Sequence, residues 1–392
     1  MQRKIRCLTL FFATFVLGFG LAACIPGGTP VPLPAGSPMP SQAIPATATF
    51  LPTASLTPLS SPTGTPLPSL FASNGGDLTN FYTLDTPGNT SIAFSPDGLL
   101  FATDEAGQAW ILFSGIPGIS QLPSHTIELS CAEREVSFAY SPDGQEIAYG
   151  CNGRLEIWDA RQGEILTELR AAKTHDISAL AYSADGKYLA AGTTEGVVSL
   201  WDAASGERLG DYDELVTEPP SSVRDVAFSP GGRYLAWTSR AGELLIWDLA
   251  ARQKAGRLLY DKSILSCPTF SSDDSLVAYA VWHLDRVSTD IDILETKTIK
   301  LKDSFPGIKV ENVVLLKFSP DDGKIMAVSA RPNAAMLIFD LARRQTVTAF
   351  IANPDTSLRL MSAALSPDQG ILAIGYYPHE VQFWATEPGP LH

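Results

Sequence analysis

A four-residue mark recurs seven times between residues 95 and 369, and it constrains the fold more than any other feature of the sequence. Each mark begins with Ser, and most continue with Pro and Asp and end with Gly. The marks begin at residues 95, 141, 183, 229, 271, 319 and 366, and they read SPDG, SPDG, SADG, SPGG, SSDD, SPDD and SPDQ. Successive copies therefore lie 42 to 48 residues apart. Self-similarity at such a period predicts a repeat architecture.

Each mark has the composition of a tight turn between two β-strands. Proline presets φ at one corner, and glycine tolerates the positive φ that the last corner requires. An apolar, β-rich stretch precedes each mark, as in VRDVAF at 223–228, and another follows it, as in YLAAG at 188–192. The aspartates of the marks are therefore predicted to form turns and not to act as catalytic acids.

An aromatic residue, often followed by Asp, stands 17 or 18 residues after the start of most of the marks. The pairs are Trp158-Asp159, Trp201-Asp202, Trp247-Asp248 and Phe339-Asp340, with Phe113 and Trp384 alone in two copies and Leu294-Glu295 in the fifth. Together with the turn marks, this pattern resembles the WD40 repeat family over about residues 78 to 385. The resemblance implies an all-β fold, a seven-bladed WD40-like β-propeller of four-stranded blades, in which these residues are structural.

The two ends of the repeat region predict how the ring closes. Only eight residues follow Trp384, so the last copy lacks its fourth strand. Before the first mark, LTNFYTL at 78–84 reads as a strand without a blade of its own. Pairing this N-terminal strand with the last blade would remove an exposed sheet edge. We expect that arrangement.

The family's hydrogen-bond network of His, Ser or Thr, and Asp around the Trp is almost absent from this sequence. In the third copy, His175 either joins a partial network with Thr193 and Glu195 or is simply exposed. In the second copy, Cys131 and Cys151 occupy the His and Ser positions of the family pattern. The resemblance brings these two side chains together, so it implies a disulfide, the alternative being two small buried thiols.

The N-terminus has the pattern of an export signal. Residues 1–6 carry three basic side chains, and residues 7–23 carry no charge. That run is shorter than the roughly 20 residues of a membrane span, and its basic start and small-residue end are typical of a secretory signal. The segment LAAC at 21–24 resembles a bacterial lipobox, which implies that Cys24 is acylated and becomes the first mature residue; a chance cysteine in an apolar run is the alternative.

The segment from residue 25 to residue 76 contains 12 prolines and no Asp, Glu, Lys or Arg. Proline removes backbone donors and restrains its neighbours, so this composition predicts a disordered stalk. We therefore expect a signal peptide at 1–23, a lipidated Cys24 with its stalk at 24–76, and the propeller at 77–392. The predicted location is the cell membrane, with the protein lipid-anchored on the extracytoplasmic face.

Charge and motif content exclude several functions. The formal net charge of −14 disfavours nucleic acid as a partner. The sequence lacks the usual hydrolase, zinc-protease and nucleotide-binding motifs, and the predicted inner strands carry only Arg224, Asp225 and Lys317 as charges. Asp290 and Asp292 are expected on a solvated surface and Cys267 as an inert thiol in the core. We thus predict no catalytic residues, no metal and no cofactor.

The remaining candidates lie in the loops between the second and third strands of each copy. Large aromatic and arginine side chains in exposed loops are typical of binding hot spots. The candidates are Trp282, His283, Arg331, Tyr376, Tyr377 and His379. The sequence thus predicts a non-enzymatic scaffold that binds a protein or peptide partner in the cell envelope. The alternative is a propeller-type envelope enzyme or small-molecule sensor.

Overall fold

The structure is a computed structural model of the 392-residue chain. It describes residues 69–72, 78–85, 91–98, 100–103, 108–112, 125–128, 137–151, 153–170, 176–213, 221–331, 335–351, 359–377 and 380–386. All of them belong to the second of the chain's two units, Ser61–His392. The predicted signal peptide, Cys24 and residues 25–68 of the predicted stalk lie outside the described residues.

The described residues form seven four-stranded antiparallel sheets. Sheet one contains β2 (Ser91–Phe94), β3 (Leu100–Thr103), β4 (Gln108–Leu112) and β5 (His125–Glu128). Sheet two contains β6 (Ser137–Tyr140), β7 (Glu146–Cys151), β8 (Arg154–Asp159) and β9 (Ile165–Arg170). Sheet three contains β10 (Ile177–Tyr182), β11 (Tyr188–Thr193), β12 (Val198–Asp202) and β13 (Arg208–Tyr212). Sheet four contains β14 (Val223–Phe228), β15 (Tyr234–Ser239), β16 (Glu243–Asp248) and β17 (Gln253–Leu259).

The remaining three sheets have longer strands. Sheet five contains β18 (Ser263–Phe270), β19 (Leu276–His283), β20 (Ser288–Glu295) and β21 (Lys300–Ile308). Sheet six contains β22 (Glu311–Phe318), β23 (Lys324–Arg331), β24 (Ala335–Asp340) and β25 (Gln345–Ile351). Sheet seven contains β26 (Arg359–Leu365), β27 (Ile371–Tyr377), β28 (Glu380–Thr386) and β1 (Leu78–Asp85).

The first strands of the sheets contact one another in a closed ring. The ring runs β2, β6, β10, β14, β18, β22, β26 and back to β2. Each sheet is therefore a blade whose first strand is innermost, and the expected all-β propeller is confirmed. We number the blades one to seven in this order.

The N-terminal strand completes blade seven, as expected. β1 pairs antiparallel with β28, with Leu78 opposite Thr386 and Asp85 opposite Glu380. The outer edge of β28 is thereby paired, so blade seven joins both ends of the described chain in one sheet.

The turn marks act through their serine hydroxyls. In blade two, Ser141 Oγ donates to Asp143 Oδ1 at 2.6 Å and accepts from the Glu146 backbone N–H at 2.9 Å. Blades three, five, six and seven repeat these two bonds. The last corner has positive φ in all seven marks, including Asp274, Asp322 and Gln369, which stand where the other marks have glycine. The predicted turn chemistry is confirmed.

In blade four, the carboxylate that accepts the hydrogen bond from the serine of the turn mark comes from blade five. The blade-four mark has Gly231 where the others have Asp, and Ser229 Oγ donates instead to Asp274 Oδ2 of blade five at 2.8 Å. The Gly231 backbone N–H donates to the other oxygen of Asp274 at 2.9 Å. A Cβ on Gly231 would lie 2.5 Å from Asp274 Oδ2, so glycine leaves the space that this carboxylate occupies.

Close approach between blades also requires glycine inside strands. A Cβ on Gly150 of β7 would lie 2.5 Å from the Ile177 side chain, and one on Gly192 of β11 would lie 2.3 Å from Val223. In both cases the neighbour is the first residue of the next blade's innermost strand. These glycines let the buried β-branched side chains pack directly against the preceding blade.

A short segment before β1 also belongs to the propeller core. Leu70–Ala72 forms a single 3-10 turn in which Leu70 and Phe71 are buried. The Leu70 N–H donates to the Gln369 carbonyl at 2.9 Å, and Lys324 Nζ donates to the Phe71 carbonyl at 2.6 Å. These residues fall within the predicted stalk at 24–76, so that boundary is wrong for them. The reason is that two large apolar side chains fill the groove between blades six and seven.

In the aromatic–Asp pairs, the aromatic residue packs in the interior and the aspartate accepts hydrogen bonds in the turn that follows. Trp158, Trp201, Phe339 and Trp384 are buried, whereas Trp247 is half-buried. The aspartates of the four pairs each accept backbone N–H groups in the following turn. The Trp158 indole donates to Glu156 at 3.1 Å, and the Trp384 indole donates to Gln382 at 3.2 Å. Short-range partners in the same strand therefore satisfy these two indoles.

Candidate interaction surface

The propeller has two faces with different construction. The residue after a turn mark accepts a backbone hydrogen bond from the turn between the third and fourth strands, as in Leu249 N–H to the Arg233 carbonyl at 2.8 Å. On the opposite side, the loops between second and third strands bond to the segments entering each blade, as in Leu284 N–H to the Lys262 carbonyl at 2.9 Å. We call these sides the turn face and the loop face.

The second and third strands of blade five form the longest hairpin on the loop face among the described blades with complete hairpins. β19 and β20 each have eight residues. Trp282 and His283, expected in a loop, are instead the last residues of β19, half-buried and paired with Thr289 and Ser288. The loop itself is only residues 284–287, so the sequence pattern placed the strand end too early.

A buried polar network fixes this hairpin. His283 Nε2 lies 3.0 Å from Asp290 Oδ2, and Arg286 donates to the same carboxylate. The other oxygen of Asp290 accepts the Gly307 N–H at 2.7 Å, and Ser263 Oγ lies 3.1 Å from His283 Nδ1. The network thus joins the first, second, third and fourth strands of the blade at the loop face.

Hydrogen bonds link Ser263 to His283 and His283 to Asp290, as in the catalytic triad of a hydrolase. The surroundings of these three residues nevertheless indicate a structural role. The Ser263 side chain is buried and its hydroxyl also bonds to the Asp261 carbonyl at 3.0 Å. Asp290 is shared with a guanidinium, which favours a fixed ion pair. A nucleophile must reach a substrate, and Ser263 is only 3% exposed. The arrangement therefore serves to hold the hairpin rigid.

The expectation of a solvated surface for Asp290 and Asp292 is wrong. They are 9% and 5% exposed, respectively. Asp292 accepts the Tyr260 hydroxyl and the Ser304 hydroxyl, both at 2.6 Å. Strand alternation puts both carboxylates on one face, as the sequence indicated, but β21 and neighbouring tyrosines cover that face. Burial raises the pKa of Tyr260, whose hydroxyl faces Asp292.

The tip of the hairpin presents apolar side chains to solvent. Leu284 is 50% exposed and Val287 is 58% exposed. Val287 has a φ of 49°, a left-handed conformation that β-branched residues rarely adopt. Its N–H bonds to the His283 carbonyl at 3.1 Å, which closes the turn. We call Leu284 and Val287 the blade-five tip.

The other predicted anchors fall in different places. Tyr377 is 41% exposed at the end of β27, as expected for a loop-face residue. Tyr376 is 1% exposed and packs in the core between blades six and seven, so its predicted role at the surface is wrong. The backbone of Arg331 pairs with Glu311, but its side chain is not described. His379 lies outside the described residues, so its role stays a prediction.

The two predicted cysteine features have different outcomes. Cys131 lies outside the described residues and the Cys151 side chain is not described, so their disulfide stays a prediction. Cys267 is a free cysteine that lines the central channel, with Sγ 3.4 Å from the Val313 carbonyl. Burial raises the pKa of its thiol, which keeps it protonated and poorly nucleophilic. His175 also lies outside the described residues, and the Thr193 hydroxyl bonds instead to Val197 of the same hairpin.

The central channel is more polar than the inner-strand sequences predicted. β22 and β26 start earlier than expected, which adds Glu311 and Arg359 to the innermost strands. Arg240, from the loop after β15, also lines the channel beside Arg224 and Asp225. A cavity of about 540 Å³ lies there, and all seven blades contribute to its wall. Sequence reasoning missed Arg240 because a loop side chain, and not a strand, brings it to the channel.

Two further structural observations limit the chemistry. Within the described ranges, no group of three or more His, Cys, Asp or Glu side chains is placed to hold a metal ion. No helix among the described residues is long and apolar enough to cross a bilayer.

Comparison with known proteins identifies WD40 repeats in the chain. The family described as WD domain, G-beta repeat matches residues 163–202 and 214–248. These ranges contain β9 of blade two and the first three strands of blades three and four, including Trp201-Asp202 and Trp247-Asp248.

Three relatives contain similar stretches. The chain is 31% identical over 146 residues to Periodic tryptophan protein 2 homolog of Mus musculus, covering 36% of this chain and 14% of that protein. It is 32% identical over 80 residues to Retinoblastoma-binding protein 5 homolog of Drosophila melanogaster, covering 20% and 16%. It is 33% identical over 76 residues to WD repeat-containing protein 1 of Xenopus tropicalis, covering 19% and 12%. The chain thus spans less than a fifth of the length of each of these relatives.

Proposed function

We propose that the protein is a lipid-anchored, extracytoplasmic scaffold that binds a protein or peptide partner through the loop face of blade five. WD-repeat propellers are typical of protein-interaction scaffolds. The N-terminal signal pattern and Cys24 support the membrane anchor, and the proline-rich segment supports a spacer between anchor and propeller. The proposed role is recognition without catalysis.

The observation that carries this proposal is the exposed apolar tip on a rigid base. Leu284 and Val287 project to solvent, while the carboxylate of Asp290 immobilises the strands beneath them. A preorganised apolar anchor loses little conformational entropy on binding, which favours affinity. The backbone strain at Val287, which has a positive φ, lies where a partner would make contact.

A photo-crosslinking amino acid at position 287 of the full-length chain, expressed in its native cells, tests the binding role. We expect adducts with a discrete envelope protein or peptide. The matched control is the same amino acid at Leu301, which is 57% exposed on the outer strand of the same blade. Equal adducts at both positions, or none at 287 in folded protein, would contradict a partner site at the tip.

The anchor is tested separately by Cys24→Ser. We expect the wild-type chain in the membrane fraction and digestible by protease added to intact cells. The variant should lose incorporation of labelled fatty acid and leave the membrane fraction. Retention of both properties in the variant would rule out lipidation at Cys24.

A further inference from the structure

The cavity in the central channel has one charged wall and one apolar wall. Arg224, Asp225 and Arg240 of blade four supply the charged side chains that line it. Ile92 and Met361 line it from blades one and seven, which lie across the ring. Its volume of about 540 Å³ falls in the range of small-molecule sites. The cavity therefore suits a ligand with one polar end and an apolar body.

The charged wall is held in place by hydrogen bonds within the protein. Arg224 reaches past blade five and donates to Asn312 Oδ1 of blade six. Asp225 Oδ2 accepts the Cys267 N–H at 2.9 Å. That N–H is free for Asp225 because the register between β18 and β19 shifts between Ser266 and Thr269. Both charged side chains are thus positioned before any ligand arrives.

The charge of this wall selects the ligand. Two guanidinium groups and one carboxylate line this wall, in a chain with a net charge of −14. Arg224 Nε lies 3.8 Å from Asp225 Oδ2, so Asp225 compensates one positive charge and repels a second negative charge on a ligand. Guanidinium groups match the planar carboxylate well. The wall therefore favours a monoanion.

We propose that the channel binds a small monocarboxylate with an apolar body, its carboxylate against Arg224 and Arg240 and its body against Ile92 and Met361. Ser362 also lines the cavity, and its buried hydroxyl has no hydrogen-bond partner in the structure. This site is separate from the blade-five tip, so it does not depend on the scaffold role.

Calorimetric titration of the full-length protein in detergent with hexanoate and phenylacetate, and with the corresponding amides, tests the site. We expect the carboxylates to bind about 10-fold or more tightly than the amides, because a charge-assisted bond replaces a neutral one. Arg224→Met should remove most of that preference. Asp225→Asn should raise carboxylate affinity about 3-fold or more, because it removes the repelling charge.

Two variants keep the outcome interpretable. Arg233→Met, in the same blade but on the turn face, is the matched control and should leave all affinities unchanged. If Arg224→Met fails to fold, Arg240→Met takes its place, with the same expected loss. Folded wild-type protein that binds neither carboxylate at about 10 mM refutes the proposal. Carboxylate affinity that is unchanged by both Asp225→Asn and the arginine variant also refutes it.

Discussion

Blades four and five have the same strand order, but their second and third strands are held together by different side chains. In blade four, Trp237 lies opposite Leu245, and both are fully buried. The corresponding pair in blade five is Tyr279 opposite Asp292. An apolar pair is thus replaced by a hydroxyl and a carboxylate, and Tyr260 and Ser304 supply the hydrogen bonds that this polar interior needs.

The comparison shows what the longer strands of blade five require. Blade four has strands of six and seven residues, and blade five has strands of eight and nine. The additional residues of β19 and β20 lie near the loop face, where Thr289 and Asp290 are buried polar residues. The hydrogen bonds that Asp290 accepts satisfy its buried carboxylate and tie these strand ends together. Blade four has a smaller ionic contact in the same place, Arg257 to Glu243 at 2.5 Å.

The largest expected effect is that of Asp290→Ala. Removing a buried carboxylate leaves the His283 ring, the Arg286 guanidinium and the Gly307 N–H without their acceptor, so we expect a loss of about 3 kcal/mol in the free energy of unfolding. Asp285→Ala, at the exposed turn of the same hairpin, is the matched control and should change it by less than about 0.5 kcal/mol. Chemical denaturation measures both. Equal stabilities would show that the network does not hold blade five.

An intermediate effect is expected at the contact between the two blades. Asp274→Gly removes the acceptor for Ser229 Oγ and Gly231 N–H but keeps a residue that tolerates the φ of 61°. We expect the free energy of unfolding to fall by about 1–2 kcal/mol, since two hydrogen bonds to a charged acceptor disappear. Asp274→Ala should be less stable still, because alanine also strains the backbone. A stability of Asp274→Gly equal to wild type would mean that blade four's turn does not depend on blade five.

The smallest expected effect is on the pKa of the turn-mark aspartates. It should be the same in blade three, which the family model matches, and in blade five, which it does not match. Hydrogen bonds from Lys187 and Ser183 lower the pKa of Asp185 to about 2, and those from Ser275 and Ser271 lower the pKa of Asp273 to about 2. A depressed folded pKa stabilises the protein above the unfolded value near 3.8, and this contribution is lost as pH falls through about 2.

NMR titration of the side-chain carboxyl carbons measures both groups directly. We expect midpoints near 2 for Asp185 and Asp273. Ser183→Ala and Ser271→Ala should each raise the midpoint of their own aspartate, because a donor to the charged form is removed. A midpoint near 3.8 for Asp273 alone would show that the turn chemistry, too, diverges in blade five.

The repeat pattern predicted the propeller because turn chemistry is local, and the strand pattern at the two ends of the repeat region predicted its closure by β1. Ser, Asp and Gly within five positions make their own hydrogen bonds, as Ser141, Asp143 and Gly144 do. The loop face was harder to predict. Tyr376 and Tyr377 are adjacent in sequence, yet one is in the core and the other is exposed. Successive side chains of a strand point to opposite faces of the sheet. An error of one residue in the predicted strand therefore exchanges the buried and exposed positions.

Sequence alone also located Asp290 and Asp292 on one strand face but not the cover on that face. Their burial depends on Gly307 and Ser304 of β21 and on Tyr260, which the chain brings back from other strands. Leu70 and Phe71 were missed for a similar reason. Their flanking residues are typical of an unstructured stalk, and only the groove between blades six and seven gives these two side chains a place to pack.

What the sequence determined by itself is the repeating unit: a period of 42 to 48 residues, a turn closed by its own hydroxyl and carboxylate, and strands of alternating apolar character. What only the tertiary structure decided is the side-chain environment where different blades meet. Arg224 bonds to Asn312 two blades away, Asp225 to Cys267, and Asp274 to Ser229. Local bonds follow from spacing along the chain, whereas these contacts exist only because the packing of blades around the ring brings together residues that are 42 to 88 positions apart.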